Sequence, residues 1–235
     1  MKYLLLILIS SALSAIEIPF KIGERLNYQA SFSGLDIAKG SLIVIGEELV
    51  NDVSTFHFRF QAKSQGIANY IFPIFDEIDF WLDKNTLYPV RVTKNINEGK
   101  YHKKSELLLF QDDRIAILNQ DTISINNGIQ SPYSLFYFLR SQDLLNLNGE
   151  SISIIDGNEK IELVMDVKKN LQINVPAGNF LCTKITPTRL NKLKTKNEEA
   201  MTIWFSNDKK KYPVQIWLRM KSGGKFILKL NEIIN

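Results

Sequence analysis

Hydrophobic and polar residues alternate along most of this chain. In the clearest stretch, Phe56, Phe58 and Phe60 are separated by the polar residues His57 and Arg59. A period of two places successive side chains on opposite faces of a strand, so that one face packs and the other meets solvent. Parallel strands are buried on both faces and give continuous apolar runs, so this pattern predicts an antiparallel sheet.

The same alternation, in less regular form, recurs to the end of the chain. It predicts strands near residues 25–32, 38–46, 55–63, 77–82, 89–96, 104–110, 114–118, 151–155, 160–167, 179–187, 200–205, 214–221 and 225–233. Short turn signals separate them, so strands that are neighbours in sequence are expected to pair. An open sheet of more than ten strands rarely stays flat. We therefore predict an all-β protein with a strongly curved antiparallel sheet or half-open barrel and two short helices.

Two segments depart from the period of two and predict those helices. The first has helical spacing at Ile67, Tyr70, Ile71 and Ile74, and Pro73 keeps it short or kinked. The second begins with the start signal Ser131-Pro132, after which residues 133–139 are nearly all apolar. A helix that is apolar all round is buried, so we expect helix 131–141 inside or under the sheet. The stretch near 126–141 is also the one plausible join between two sub-structures.

The first residues have the pattern of a secretory leader. Lys2 precedes the apolar run 3–9, and small residues dominate positions 10–15. The run is far shorter than the roughly 20 apolar residues that span a bilayer as a helix. We expect residues 1–15 to be a cleaved signal peptide, and residues 16–235 to form a single β-rich domain in the periplasm that is not transmembrane. An uncleaved N-terminal anchor is the alternative.

Composition excludes several other classes of protein. The 235 residues include 29 Lys and Arg, 25 Asp and Glu, and 45% hydrophobic residues, which is ordinary globular usage and excludes a disordered chain. The net charge of +4 is spread along the chain, so nucleic acid is not an expected partner. Cys182 is the one cysteine, so no intrachain disulfide forms, and its strand context predicts a buried side chain.

Catalytic motifs are absent from the sequence. Of the two histidines, His57 is expected on the solvated face of its strand, and His102 lies among lysines. Without a zinc motif, phosphate loop or nucleophile elbow, we predict no metal, no cofactor and no catalytic residue. The most compact acidic group comprises Asp76, Glu77, Asp79 and Asp83. It would suit an enzyme acting on envelope glycans. However, Asp79, Trp81 and Asp83 alternate with Ile78, Phe80 and Leu82, as on an edge strand or a solvated strand face.

Aromatic residues supply the candidate binding sites. Trp81, Trp204 and Trp217 each fall on the face opposite the regular apolar set of their strand. Together with Phe136 and Phe138, they are candidates to line a concavity for an apolar or sugar ligand. The alternative is that a helix covers these rings or that they stack on cross-strand partners. A candidate partner-contact patch surrounds the first helix and consists of Tyr70, Ile71, Phe72 and Phe75.

An ordered set of short motifs gives the chain a resemblance to a known family. The motifs are Gly23-Glu24-Arg25-Leu26-Asn27-Tyr28, Trp81-Leu82-Asp83 with Leu87-Tyr88-Pro89, Glu98-Gly99-Lys100-Tyr101, Ser131-Pro132-Tyr133-Ser134-Leu135-Phe136-Tyr137 with Leu139-Arg140, Val175-Pro176-Ala177-Gly178-Asn179-Phe180, and Ile203-Trp204-Phe205-Ser206-Asn207-Asp208 with Tyr212-Pro213-Val214. The set resembles the exported bacterial family known as domain of unknown function 3108. The resemblance implies a β-rich exported protein and assigns no activity or site.

These inferences together predict a non-catalytic envelope protein. Periplasmic lipoprotein carriers share the predicted plan, which is a likeness of fold alone. On that basis the concave face is expected to bind an apolar ligand, a lipid or an envelope protein, with helix 131–141 as a plug or lid. One alternative is an assembly factor that docks on an outer-membrane complex through sheet edges and the 70–75 patch. The glycan-acting enzyme is the least favoured.

Overall fold

Antiparallel strands form most of the protein in the computed structural model, which describes residues 18–190, 201–219 and 224–235. The strands of the described residues are β1 (Arg25–Phe32), β2 (Leu35–Val50), β3 (Val53–Ser64), β4 (Phe75–Asp83), β5 (Pro89–Glu98), β6 (Tyr101–Phe110), β7 (Ile115–Leu118), β8 (Asp121–Ser124), β9 (Ser151–Asp156), β10 (Glu159–Val175), β11 (Gly178–Arg189), β12 (Met201–Ser206), β13 (Pro213–Arg219) and β14 (Lys225–Ile234). The helices are α1 (Ala68–Ile71), α2 (Ser134–Ser141) and a 3₁₀ turn at Leu144–Leu147. The expected leader, residues 1–15, lies outside the described residues.

These strands form one sheet in which almost every neighbour in sequence is a neighbour in space. The order is β8-β7-β6-β5-β4-β3-β2-β1-β14-β13-β12-β11-β10-β9, and every strand pair in it is antiparallel. The sheet does not close, because β8 and β9 are left as its edges. The prediction of an antiparallel, curved all-β fold is therefore confirmed.

Curvature brings distant strands of the sheet together. Lys94 of β5 reaches Asp156 at the end of β9, with 3.0 Å between Nζ and Oδ1. Gln130, in the connection between β8 and α2, forms an isolated bridge with Ile154 of β9. The sheet has two ends, which we call the tip and the base. The tip comprises residues 33–36, 63–75 and 97–104, and the base includes the turns at 51–52, 84–88 and 207–212.

Helix α2 occupies the middle of the concave face. Its side chains Leu135, Tyr137 and Leu139 are at most 1% exposed. The ring of Tyr137 lies 4.1 Å from that of Phe58, which stacks on Phe80 at 5.2 Å. Helix 131–141 is therefore buried as predicted, although its regular turns begin three residues later, at Ser134. Ser131 still caps it, because the Ser131 hydroxyl accepts the Ser134 N–H at 3.0 Å.

The base end of α2 is clamped by a buried ion pair. Arg140 donates through Nη1 and Nη2 to the two carboxylate oxygens of Glu24, at 2.6 and 3.0 Å. It also donates to the carbonyl oxygens of Pro19 and Lys210. Both charged side chains are 1% exposed. A buried charge needs a partner and full hydrogen bonding, and here the guanidinium has both.

One strand of the structure was not predicted. β8 carries the sequence Asp121-Thr122-Ile123-Ser124, and most of it is exposed. An edge strand packs little apolar surface, so its sequence lacks the alternation that predicts the others. β10 also runs on to Val175, well past the predicted end at residue 167.

Candidate ligand groove

A groove lies on the concave face beside the tip end of α2. Its volume is about 610 Å³, which is in the range of small-molecule sites. The floor consists of alternate side chains of β5 and β6 with two residues at the end of β7: Val92, Lys94, Ile96, Glu98, Tyr101, Lys103, Ser105, Leu107, Leu118 and Asn119. One wall is the start of α2, at residues 131–133, and the other is the β9–β10 turn, at residues 155–157.

The strand register explains why these side chains share a floor. Val92 is opposite Leu107, Lys94 is opposite Ser105, and Ile96 is opposite Lys103. Side chains directly opposite one another in an antiparallel pair lie on the same face. Apolar residues therefore line the deep part of the floor, and charged and polar residues line the part nearer the tip. The groove is amphipathic along its length.

Lys94 on the floor of the groove contacts both walls. The Lys94 ammonium that contacts Asp156 also lies 5.1 Å from the centre of the Tyr133 ring, within cation–π distance. Burial, with the charge of Asp156 as a lesser cause, raises the pKa of the Tyr133 hydroxyl well above its usual value. The hydroxyl of Tyr133 on the wall is therefore uncharged. Lys103 is exposed on the floor and makes no ion pair among the described residues.

A pair of carboxyl groups lies where the groove meets the tip. Asp76 is buried and accepts the Asn97 backbone N–H at 2.9 Å. Burial and the nearby carboxylate of Glu98 raise the pKa of Asp76 to about 6, although the hydrogen bond from Asn97 opposes the shift. The charge of Asp76 therefore changes around pH 6 at this end of the groove.

The candidate aromatic residues do not line this groove. Phe136 and Phe138 are half-buried against the main core, and the Phe138 ring lies 6.1 Å from Tyr88 at the base. Helix α2 thus fills the middle of the concave face, for which the sequence left open whether it holds a cavity or is packed by these two side chains. The role of Phe136 and Phe138 in ligand binding stays a prediction.

Trp81 lies on the outer face of the sheet. It belongs to a small cluster with Val50 and Val90 that is separate from the main core. Its ring stacks on His57, 4.5 Å away, and its indole N–H donates to Glu48 at 2.7 Å. His57 is consequently covered rather than solvated, which corrects the sequence-based expectation. Trp81 therefore stacks on a cross-strand partner, which was the alternative to its lining a concavity.

The other two tryptophans pack on each other. The rings of Trp204 and Trp217 lie 4.7 Å apart, beneath the ammonium groups of Lys184 and Lys225, respectively. Trp204 is buried in the main core, and Trp217 is half-buried against it. The indole nitrogen of Trp217 is buried and has no hydrogen-bond partner among the described residues. The three tryptophans therefore do not share one concavity.

The four carboxylates of the acidic group are divided between the two faces. Asp76 points to the concave side, whereas Glu77 and Asp79 pair with Arg59 on the outer side. Burial alone would raise the pKa of Asp79, but hydrogen bonds from His57 and Arg59 outweigh it and lower that pKa. Asp83 instead accepts the N–H groups of Asn85 and Thr86 in a turn. The group does not gather in one cleft.

The apolar side chains of the partner-contact patch are exposed, as the sequence led us to expect. Tyr70 is 89% exposed and Ile71 is 77% exposed, while Phe72 and Phe75 are each 51% exposed. α1 has only four residues and buries none of them. The ring of Phe72 lies against Gly99, which is between the groove residues Glu98 and Tyr101, so the patch adjoins the groove at the tip.

Two further observations concern the described part of the chain. None of its helices is long and apolar enough to cross a membrane. It contains no group of three or more His, Cys, Asp and Glu side chains placed to hold a metal ion. Cys182 is buried, and burial raises the pKa of its thiol to about 12, so the thiolate form is suppressed.

The protein is an open, curled antiparallel sheet with an internal helix and a groove beside the start of that helix. The sequence profile of the family described as "Protein of unknown function (DUF3108)" matches residues 27–230. The chain therefore belongs to the DUF3108 family, which confirms the resemblance found in its motifs. No protein among the curated sequences matches this chain.

Three solved structures from bacteria are similar to this chain. A β-barrel-like protein of the domain of unknown function DUF1849 from Brucella abortus is 13% identical, with a TM-score of 0.58 over 90% of this chain and 97% of that one. A protein from Bacteroides fragilis described as exported, with a YmcC-like fold, is 9% identical, with a TM-score of 0.40 over 94% and 100%. A protein from Parabacteroides distasonis described as a lipoprotein is 12% identical, with a TM-score of 0.41 over 94% and 99%. The first of these likenesses supports the fold.

Sequence reasoning missed the groove residues themselves. Lys94 and Lys103 look like ordinary polar positions of alternating strands, and Asp76 was considered only as a member of the acidic group. Two signals pointed nearby: the motifs Glu98-Gly99-Lys100-Tyr101 and Ser131-Pro132-Tyr133 both border the groove.

Proposed function

We propose that this protein is a non-catalytic component of the periplasm that binds an amphiphile in the groove beside α2. The observation that carries the proposal is the distribution of side chains in the groove. Val92, Leu107 and Leu118 form an apolar deep end of the floor suited to a hydrocarbon chain. Lys103 at the tip side is free to meet an anionic head group. Export is supported by the leader pattern of residues 1–15.

The position of α2 favours the plug function expected of helix 131–141. The helix fills the middle of the concave face, so the ligand volume is restricted to the space between its first turn and β5–β7. One partly exposed salt bridge joins Lys94 on the floor to Asp156 on one wall. Such a pair contributes little to stability and therefore opens at low cost. A chain-like ligand enters by separating these two side chains.

Binding of dansyl-labelled undecanoic acid tests the proposal. The probe has a hydrocarbon chain and a carboxylate, and its fluorescence increases when water is excluded from it. The form of the protein that lacks residues 1–15 is expected to bind it saturably. Ser105→Trp places an indole inside the groove, and we expect it to weaken binding by about tenfold or more, since the lost volume excludes the chain.

Thr93→Trp is the matched control for Ser105→Trp. Thr93 lies on the neighbouring strand and points to the outer face, so the same indole is added outside the groove. This variant is expected to bind the probe like the parent protein. The absence of saturable binding by the parent protein would contradict the proposal, as would equal losses in the two variants.

The assembly-factor function is a second candidate because of the exposed patch. Tyr70, Ile71, Phe72 and Phe75 offer a protein partner a compact apolar contact. A photo-crosslinking residue in place of Tyr70 in living cells tests it. A docked subunit gives one dominant crosslinked protein, whereas a soluble carrier gives several weak ones.

A further inference from the structure

The exposed apolar residues of this protein are concentrated at the tip. Large apolar side chains that are more than half exposed there are Leu35, Ile67, Tyr70, Ile71, Phe72, Phe75 and Tyr101. Scattered single residues of this kind are ordinary, but a contiguous patch marks a contact surface. The segment at residues 65–75 lies between the two neighbouring parts of the tip, since the Gln65 N–H donates to the carbonyl oxygen of Ile37 in β2 and the ring of Phe72 lies against Gly99 of the β5–β6 turn.

The geometry at Gly99 fixes the patch to the sheet. Gly99 has a φ of +57°, and a Cβ placed on it would lie 2.9 Å from Cε2 of Phe72. Its N–H also donates to the carbonyl oxygen of Pro73 at 2.7 Å. The segment at residues 65–74 is thus held as a raised knob against the neighbouring turn, and its remaining apolar side chains point outward.

Basic residues also lie at the tip, on both faces of the sheet. Lys63, Lys100, Lys103 and Lys104 are all exposed and make no ion pair among the described residues. The acidic residues of the tip are Asp36 and Glu98, so the lysines are in excess by two. Clusters of four or more lysines beside apolar anchors are typical of surfaces that contact anionic lipid.

We infer that the tip docks on the surface of an anionic lipid bilayer. A protein partner fits less well, because lysine is depleted at protein interfaces, whereas aromatic and lysine side chains together suit the head-group region. Tyr101 and Glu98 belong both to the tip and to the groove. Docking would therefore bring the opening of the groove to the lipid, from which the amphiphile of the proposed function would enter.

Sedimentation with lipid vesicles tests this inference, with residues 1–15 absent from every protein compared. We expect binding to vesicles of phosphatidylethanolamine with phosphatidylglycerol, and weaker binding to vesicles of phosphatidylcholine alone. Tyr70→Ser combined with Ile71→Ser removes the two most exposed side chains of α1. This variant is expected to lower the partition coefficient by about tenfold or more.

Leu49→Ser is the control for the loss of exposed apolar area. Leu49 is 67% exposed but lies beside the β2–β3 turn at the base, so its replacement should leave vesicle binding unchanged. All variants are exposed on the surface, and their circular dichroism and Tm show that the fold is retained.

Charge is tested by a second matched pair of variants. Lys100→Gln with Lys104→Gln removes two positive charges at the tip, and Lys209→Gln with Lys210→Gln removes two at the base. The tip variant should weaken binding to the anionic vesicles by about tenfold, and the base variant should not. Added salt should reduce the binding of the parent protein.

Three results would overturn the inference. They are the absence of vesicle binding by the parent protein, equal losses in the tip and base variants, and capture of one dominant protein at position 70 without vesicle binding. The dansyl probe is measured without vesicles, so its outcome is independent. Tip variants that lose vesicle binding but retain probe binding separate the docking surface from the groove.

Discussion

The charged side chains at the two ends of α2 differ in how completely they are buried and paired. At the base end, Arg140 is enclosed and both oxygens of Glu24 are bonded to it. At the tip end, Lys94 and Asp156 are partly exposed, and burial raises the pKa of Asp76. The base end fixes the helix, and the tip end leaves a groove. Full pairing gives rigidity, and incomplete pairing leaves room for a ligand.

The largest expected effect comes from breaking the pair at the base end. Arg140→Met leaves the carboxylate of Glu24 buried among Phe20, Tyr28 and Tyr212 without its partner. Removing one member of a buried pair costs about 3–5 kcal/mol of unfolding free energy. Urea denaturation measures the loss.

The double variant Arg140→Met with Glu24→Leu is the control for the single one. Both charges are then absent, and we expect most of the lost stability to return, since the uncompensated charge was the main cost. A single variant that loses less than about 1 kcal/mol would mean that the pair does not hold the base end together.

The next effect concerns Asp76 at the tip end. Its pKa is raised from 3.8 to about 6 in the folded protein, so the folded state retains a proton that the unfolded state has lost. Stability therefore falls as the pH rises between these two values. Asp76→Asn removes this loss and should stabilise the protein by about 2 kcal/mol above pH 6, with little effect below pH 4.

Asp79→Asn should show the opposite sign. Asp79 lies on the same strand but on the outer face, where His57 and Arg59 lower the pKa of its carboxyl group. That stability is present above the ordinary pKa of aspartate and is lost as the pH falls through the lowered value. Asp79→Asn should thus destabilise the protein at neutral pH. Urea unfolding across pH compares the two variants, and equal signs would refute the assigned environments.

A smaller effect is expected from the hydroxyl of Tyr137 near the base end. This oxygen is buried without a hydrogen-bond partner among the described residues, whereas the Tyr28 hydroxyl donates to the carbonyl oxygen of Pro213 at 2.8 Å. Tyr137→Phe should raise Tm, with a gain of about 1 kcal/mol, and Tyr28→Phe should lower it by a similar amount. A destabilised Tyr137→Phe would indicate that this hydroxyl does have a partner.

The sequence predicted the strands well because alternation is a local property. Phe56, Phe58 and Phe60 share a face whatever the rest of the chain does, and neighbouring strands joined by short turns have few other ways to pair. β8 was missed because an exposed edge strand such as Asp121–Ser124 does not need alternation.

The sequence pattern could not predict contacts between side chains of different strands. His57 is opposite Trp81 in the register of β3 and β4, so the two rings stack, although each looked solvated in its own strand. Glu24 and Arg140 are separated by 116 positions in the chain, and neither position signals a buried charge. Both do lie in motifs that carried the family resemblance, Gly23-Glu24-Arg25 and Leu139-Arg140, so the motifs marked a structural pair.

The smallest effect on stability is expected from the two partly exposed salt bridges, one at each end. Lys94→Gln removes the salt bridge across the groove, and Lys84→Gln removes the comparable bridge to Glu47 at the base, with 2.6 Å between Nζ and Oε2. Both pairs are partly exposed, so each variant should lose less than about 1 kcal/mol in urea denaturation.

Lys94→Gln alone should alter binding of the dansyl probe, because only this bridge closes the groove among the residues that the structure describes. Stopped-flow mixing should show faster association for it than for Lys84→Gln. Identical association rates in both variants and in the parent protein would mean that the bridge does not limit entry.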